Sequence, residues 1–195
     1  MAISKKIVKY LDDNKYKYEI VEHKTTYTAW DTAQTEKIKP QEVAKALVMK
    51  ADSDYVLALL PANRNLDKQK LLKTINAGRK KLKLKNLPPH QNSTKNTLKK
   101  TSAAKIKKSS FGVGVYKKID FAKEAWMKKN LPGKVGATPP FAKVLKMDIF
   151  IDSLLAKNKR IYLGSGEYTN SIRVSTGQYL KIEQPTKGSF SKSKK

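Results

Sequence analysis

The sequence predicts an α+β fold built on a mixed, largely antiparallel sheet flanked by helices. Three observations carry that expectation. Strand-like apolar runs outnumber helical ones, and the two kinds do not alternate strictly, as they would around a parallel sheet. Two of the runs, 44–50 (AKALVMK) and 55–61 (YVLALLP), are separated only by a polar, turn-prone ADSD. Neither alternates cleanly with polar residues, so the pair reads as a hairpin buried on both faces.

Taken in order, Ser4 is placed to cap a first helix in which Ile7, Val8 and Leu11 recur at helical spacing before Asp12, Asp13 and Asn14 end it. Residues 16–22 (YKYEIVE) suit a strand closed by His23. A second helix is expected from about Thr28 to Lys39, stopped by Pro40, with Ala29, Ala33 and Ile38 facing inward. After the hairpin, Asn65 or Asp67 can cap a helix presenting Leu71, Leu72 and Ile75, with Gly78 just beyond its end. Residues 82–87 (LKLKNL) alternate apolar and basic residues and suggest a short strand, broken by Pro88 and Pro89.

Residues 90–108 are poor in apolar side chains and rich in Lys, Ser, Thr and Asn, the composition of an exposed insertion. FGVGVY at 111–116 suggests a returning strand, and Asp120 can cap a helix bringing Phe121, Ala125 and Trp126 together. A Gly- and Pro-dense loop (131–141, LPGKVGATPPF) precedes three more strand candidates, 144–152, 160–166 and 171–175. Ser175 can cap a short last helix, and the terminal GSFSKSKK suggests disorder. The whole reads as a single domain over 1–185 with a lysine-rich insertion around 88–130 and a disordered basic tail, 186–195.

Lys and Arg number 42 against 16 Asp and Glu, a formal net charge of +26, far more than solubility requires. A polyanionic partner is expected, nucleic acid ahead of an anionic membrane surface, and the dominance of lysine suits sequence-blind phosphate contact. Cysteine is absent and only His23 and His90 are present, which excludes disulfides and thiolate zinc sites and leaves no metal or other cofactor expected. No apolar run has the roughly twenty residues of a membrane helix and the N-terminus lacks a signal-peptide core, so a cytoplasmic protein is expected.

Lys45 is the anomaly of the first hairpin strand. With a period of two it shares its face with Leu47 and Met49, so its ammonium either snorkels to solvent or meets an anion such as a substrate phosphate or carboxylate. Residues 133–140 (GKVGATPP) are either an ordinary connection or a rigid loop whose unpaired amides bind a carbonyl or oxyanion. The Gly164, Ser165, Gly166 turn allows close approach of a ligand, with Ser165 as a hydroxyl donor, or simply reverses the chain. His23 beside Glu22 suits proton transfer or a structural role. Trp126, Phe121 and Phe111 can stack on bases, although their spacing favours core packing. No serine, histidine and acid form a triad by spacing, and there is no P-loop or nucleophile elbow.

VEHKTTYTAWDTAQ, then VAKALVMK and YVLALLPANRNLDKQKLLK, then GKVGATPPF, IFID and YLGSG resemble, in order, the aminoacyl-tRNA deacylase family of YbaK, ProX and the editing domain inserted in bacterial prolyl-tRNA synthetases. The resemblance covers most of the chain outside about 88–130 and the tail. It implies a partly closed mixed sheet and trans-editing hydrolysis of the ester joining a wrong amino acid to tRNA, with an aminoacyl-tRNA synthetase as a candidate partner. The family's strand lysine falls on Lys45, and its substrate loop runs from Gly136 through Ala137, Thr138 and Pro140 to Phe141. Its strand-end aspartate falls on Asp152 and its later turn on Gly164, Ser165 and Gly166. His23 and Thr28 lie in the first matching stretch, on the expected substrate side.

In this reading Lys45, Gly136, Ala137 and Thr138 carry the chemistry. Arg79, Lys80, Lys81, Lys99, Lys100, Lys107 and Lys108 are the expected tRNA-backbone footprint. The alternative is a tRNA-binding module that kept the fold without the hydrolysis. The sequence departs from the family at Ala142, where glycine is usual, and in its longer lysine-rich insertion.

Overall fold

In chain order the elements are α1 (Lys5–Asp13), β1 (Tyr18–Glu22), α2 (Ala29–Thr35), β2 (Ala44–Ala51), β3 (Asp54–Pro61), β4 (Arg64–Leu66), α3 (Lys68–Lys85), β5 (Ile119–Phe121), α4 (Glu124–Asn130), α5 (Ala142–Leu145), β6 (Asp148–Asp152), α6 (Ser153–Ala156), β7 (Arg160–Gly164), β8 (Asn170–Ser175), α7 (Thr176–Glu183), β9 (Thr186–Gly188) and β10 (Ser191–Ser193). They come from a computed structural model that describes residues 3–85 and 115–194.

The expected hairpin forms, with Ala44 opposite Pro61 and Ala51 opposite Asp54. Asp52 takes the positive φ of its turn, 49°, a conformation that aspartate tolerates. The Asp52 carboxylate then accepts the amides of Lys117 and Lys118, each at 2.9 Å, which brings the returning chain alongside β2 as β5.

A five-stranded sheet in the order β5-β2-β3-β6-β9 is mixed, since β6 runs parallel to both β3 and β9. A three-stranded antiparallel sheet, β1-β8-β7, meets it through a bridge between Val43 and Tyr162, and β10 pairs with β4 in a small third sheet. One edge of β2 is therefore shared, by β7 at Val43 and by β5 from Met49 to Ala51. Between these contacts the two large sheets splay, and the backbone edge at residues 44–47 pairs with no strand among the described residues.

Apolar side chains pack on both faces of the hairpin. Ala44, Val48, Leu57 and Leu59 join Ile7, Leu11, Phe141, Ile151 and Tyr179 on one side. Met49, Ala51, Val56, Ala58 and Leu60 join Leu71, Ile75, Phe150 and Phe190 on the other. Full burial of each large side chain contributes about 1.5–3 kcal/mol, so this double-sided layer is the main source of stability. The aromatic Trp126 stacks flat on Tyr55, ring centroids 3.4 Å apart, in the packing role its spacing favours.

Several elements differ from the sequence expectation. Gly78 lies inside α3, and residues 82–85 are helical, not a strand. Leu71, Ile75 and Arg79 continue one helical stripe, which outweighs a two-residue alternation too short to define a strand. Asp120 caps no helix: it lies in β5 opposite Lys50 and pairs with Lys68, and the helix begins at Glu124. Residues 115 and 116 are not a strand, and the buried Tyr116 backbone is held by both ends of the Asn76 amide. Residues 142–145 form α5, closed by Lys146 at φ 55°, before β6 begins. Neither Ser4 nor Ser175 makes a side-chain cap, whereas Thr28 and Asp67 accept the amides of Asp31 and Lys70.

The largest correction concerns the tail, where disorder was expected and two strands form. Phe190 is fully buried, and Asp152 accepts the amides of Phe190 at 2.9 Å and Ser191 at 2.8 Å. One aromatic anchor and one buried carboxylate order a segment whose overall composition is that of a solvated tail. The expected insertion at 90–108 lies outside the described residues.

Candidate active site

Where the sheets splay, a cavity of about 210 Å³ opens against the free edge of β2. Its floor is Ala44, Lys45, Ala46 and Leu47, with Tyr162, Leu163 and Gly164 of β7 beside them. The segment leading into α2 supplies Thr26, Tyr27, Thr28 and Thr32, and the Gly/Pro-dense loop supplies Gly136, Ala137 and Thr138. His23, Asn170 and Ser171 complete the lining from the β1–β8 pair.

The loop wall is made of backbone. A Cβ at position 164 would lie 2.8 Å from the Ala137 carbonyl oxygen, so only glycine lets β7 and the loop approach. At position 133, where φ is +83°, a Cβ would lie 2.4 Å from the Gly166 Cα. Lys134 donates its amide to the Gly166 carbonyl, and the Gly166 and Ala137 amides close the turn onto Ala137 and Lys134. That commits the Ala137 amide internally. The flanking Gly136 and Thr138 amides have no intramolecular acceptor among the described residues.

A polar layer beneath holds the loop in place. Tyr179 donates to the Pro140 carbonyl at 2.6 Å, and Tyr168 to that of Val135 at 2.7 Å. Buried Glu183 accepts the Ala142 amide and the hydroxyls of Tyr10 and Tyr16, each at 2.8 Å. Burial first, then the Glu183 carboxylate, hold both phenols well above their ordinary range, so they remain donors. Ala142 opens α5, a position where alanine is at ease.

The floor carries the one cation among the lining residues. Lys45 is half-buried on the face that carries Leu47 and Met49, and its ammonium donates to the Arg64 carbonyl at 2.5 Å. Burial, and secondarily the charge of Lys194, push its pKa below that of an ordinary lysine. The ammonium thus sits at the end of β2 facing β4, at the rim of the cavity.

Across the floor, His23 Nδ1 lies 2.8 Å from the Lys24 carbonyl and Nε2 lies 2.9 Å from the Ser171 hydroxyl. A carbonyl only accepts, so Nδ1 carries the proton, and in the neutral ring Nε2 accepts from Ser171. This pair can pass a proton within the cavity. Sequence spacing could not reveal it, because 148 residues separate the partners and only the register placing Val21 opposite Ser171 joins them.

Of the sequence-predicted site residues, Lys45, His23, Thr28, Gly136, Ala137, Thr138 and Gly164 converge on the cavity. The others do not line it. Phe141 is buried against Tyr10 and Tyr16 in the core. Pro140 serves as the acceptor of Tyr179. Ser165 is buried and donates to the Asn170 carbonyl at 2.7 Å, so its hydroxyl is committed to the turn and is not offered to a ligand. Gly166 makes the turn beneath the loop. Asp152 is buried and tied to Leu154, Phe190 and Ser191.

Arg79 is also buried, its guanidinium 4.0 Å from the Tyr116 ring centre, which suits packing rather than surface phosphate contact. Lys80 is exposed on α3, while the side chain of Lys81 and all of Lys99, Lys100, Lys107 and Lys108 lie outside what the structure describes. Residues that sequence reasoning passed over are Thr26 and Thr32, whose hydroxyls pair at 2.8 Å, together with Tyr27, Tyr162, Asn170 and Ser171. The only sequence signal for Thr26 and Tyr27 was the polar KTTYT, which reads equally as a linker.

Comparison with known proteins agrees with this fold. The chain is similar to a solved hypothetical protein at TM-score 0.70 and 14% identity, over 96% of this chain and all of that one. A candidate trans-editing enzyme for prolyl-tRNA synthetase aligns at TM-score 0.68 and 14% identity, over 98% of this chain and 100% of that one. A candidate signal transduction protein from Marinobacter aquaeolei VT8 aligns at TM-score 0.56 and 10% identity, over 97% of this chain but 31% of that one. No curated protein matches in sequence. Among the described residues no helix is long and apolar enough to cross a membrane, and no three His, Cys, Asp or Glu side chains are grouped to hold a metal ion. The sequence profile of the aminoacyl-tRNA editing domain matches residues 23–86 and 97–182, and the chain therefore belongs to that family, the YbaK-type family whose motifs it carries.

Proposed function

We propose that this protein is a trans-editing deacylase of the cytoplasm that hydrolyses the ester of mischarged aminoacyl-tRNA. The observation that carries the reading is the convergence of Lys45 and the Gly136–Thr138 loop on one small cavity. The two uncommitted amides of Gly136 and Thr138 polarise the ester carbonyl, and a water helped by the substrate's own ribose hydroxyl attacks it. Lys45 positions the RNA by holding a phosphate or the terminal adenosine. A second sieve of this kind meets a physical need, because a synthetase pocket separates amino acids differing by one methylene by only about 1–3 kcal/mol.

A panel of mischarged tRNAs tests the reading. Hydrolysis of at least one is expected, and Lys45→Ala should abolish it while circular dichroism and melting stay unchanged. Full activity in that variant would remove Lys45 from the mechanism. The competing reading, a tRNA-binding module without hydrolysis, draws on Ala142 and on the same fold within a longer candidate signal transduction protein. Binding across the panel with no ester cleavage would establish it instead.

A further inference from the structure

We propose that the C-terminal strand β10 completes a phosphodiester-binding subsite at the mouth of the cavity, in which Lys194 is the second cation beside Lys45. The proposal rests on the deacylase reading for the identity of its ligand, the sugar-phosphate backbone at the 3′ end of a tRNA.

A continuous set of contacts leads from the cavity to the tail. The Lys45 ammonium donates to the Arg64 carbonyl, and Arg64 lies opposite Ser193 in the β4–β10 pair. The Arg64 guanidinium donates to the hydroxyls of Ser191 at 3.4 Å and Ser193 at 3.0 Å, tying the tail to β4 a second time. Lys194 follows directly, and its ammonium stands 4.4 Å from the centre of the Trp30 ring. Trp30 belongs to α2, whose first turn walls the cavity through Ala29 and Thr32. The tail therefore spans from the β4 side of the mouth to its α2 side.

Three cations, Lys45, Arg64 and Lys194, gather along this path, and among the described residues no carboxylate forms an ion pair with any of them. Like charges held together without a counter-ion repel, and the arrangement is relieved when an anion enters between them. Burial chiefly, and the charge of Lys194 secondarily, hold the Lys45 pKa below that of an ordinary lysine, and the second cause is this same repulsion read at one group. The tail is also firmly built. Buried Phe190 and the two Asp152 hydrogen bonds fix β10 only a few residues before Lys194, which a freely solvated lysine would not need. A phosphodiester suits the site because it is a compact monoanion, and Trp30 and Tyr27, both well exposed, offer faces on which adjoining bases can stack.

The test measures binding separately from hydrolysis. The probe is an uncharged acceptor-stem hairpin with a single-stranded 3′ end, compared with the same hairpin lacking its 3′ overhang, against the full chain and Lys194→Ala. Lys187→Ala serves as a control, since it removes an equal charge from an exposed position on β9. Lys194→Ala is expected to weaken binding of the intact hairpin roughly three- to tenfold at low salt and to reduce the salt slope by about 0.7–0.9, one phosphate contact. The trimmed hairpin should respond no more than it does to the control.

Unchanged affinity and slope for Lys194→Ala, or a loss equal to that of Lys187→Ala, would overturn the subsite. A Lys194-dependent 3′-end contact in a protein that cleaves no ester would uphold the subsite while removing the deacylase reading. Cleavage that is indifferent to Lys194, together with unchanged binding, would do the reverse.

Discussion

The two walls of the cavity are built by opposite means. The Gly133 to Phe141 wall works through backbone, and its shape depends on the absence of side chains at positions 133 and 164, where another chain segment passes within van der Waals contact. The β2 side works through side chains: Lys45 lines the cavity, and Arg64 of β4 and Lys194 just after β10 gather next to it, outside the lining. One wall is stiff and nearly neutral, suited to a developing oxyanion; the other is charged and adaptable, suited to an anion already present in the substrate. On the proposed deacylase reading, the difference teaches that the reacting carbonyl and the RNA backbone would be handled by separate devices, with Lys45 between them.

That contrast can be broken on the stiff side first. Gly133→Ala adds a Cβ against the Gly166 backbone at a positive φ, and left-handed strain alone costs about 1–2 kcal/mol before the overlap is counted. A total loss of about 3 kcal/mol or more is expected, with Tm falling by about 10 °C and activity lost with the loop. A melt within a degree or two of wild type would show that the two glycine turns do not bear on each other.

A smaller effect is expected at the hinge between the walls. Asp152→Asn weakens the carboxylate that receives Phe190 and Ser191, for a loss of about 1–3 kcal/mol. Amide exchange at Phe190 and Ser191 should quicken, and affinity for the RNA hairpin should fall as in Lys194→Ala. Retained protection at both amides would place the anchoring of β10 elsewhere, in Phe190 burial or in the Arg64 contacts.

The gentlest probe is pH. The charged form of Lys45 is disfavoured by burial first and by Lys194 second, so its proton leaves at lower pH than that of a free lysine. The hold on phosphate proposed for it is therefore expected below that depressed value and should be lost as pH rises through it. In Lys194→Ala the alkaline loss of RNA affinity should move to higher pH, because one of the two causes is gone. An identical alkaline limb in both proteins would mean that the two ammonium groups do not sense each other.

Much of this is legible in the sequence. The hairpin was plain because two long apolar runs around a polar turn admit few other folds, and Lys45 stood out because a charge on a core-facing parity is costly without a partner. The motif order also brought Gly136, Ala137 and Thr138 to the same site as Lys45, where they line one cavity. Other parts were illegible for identifiable reasons. Gly78 looked like a helix stop because propensity is local, whereas the stripe of Leu71, Ile75 and Arg79 is satisfied only by packing across the sheet. Ser165 looked like a ligand hydroxyl until the Asn170 carbonyl, five residues on, proved to occupy it. Asp152, assigned to substrate by motif, is buried beneath the tail.

By itself the sequence determined the central hairpin, the family that the motifs belong to, and the large excess of positive charge, because each of these depends on residue type and short-range order. Only the tertiary structure decided how charge and hydroxyls are apportioned around the cavity. Ser171 reaches His23 through strand register, and Lys194 reaches Trp30 because a single buried phenylalanine and a buried aspartate outweigh the solvated composition of the tail. Those outcomes rest on contacts between residues far apart along the chain, 38 positions for Asp152 and Phe190 and 148 for His23 and Ser171, and no local pattern encodes them.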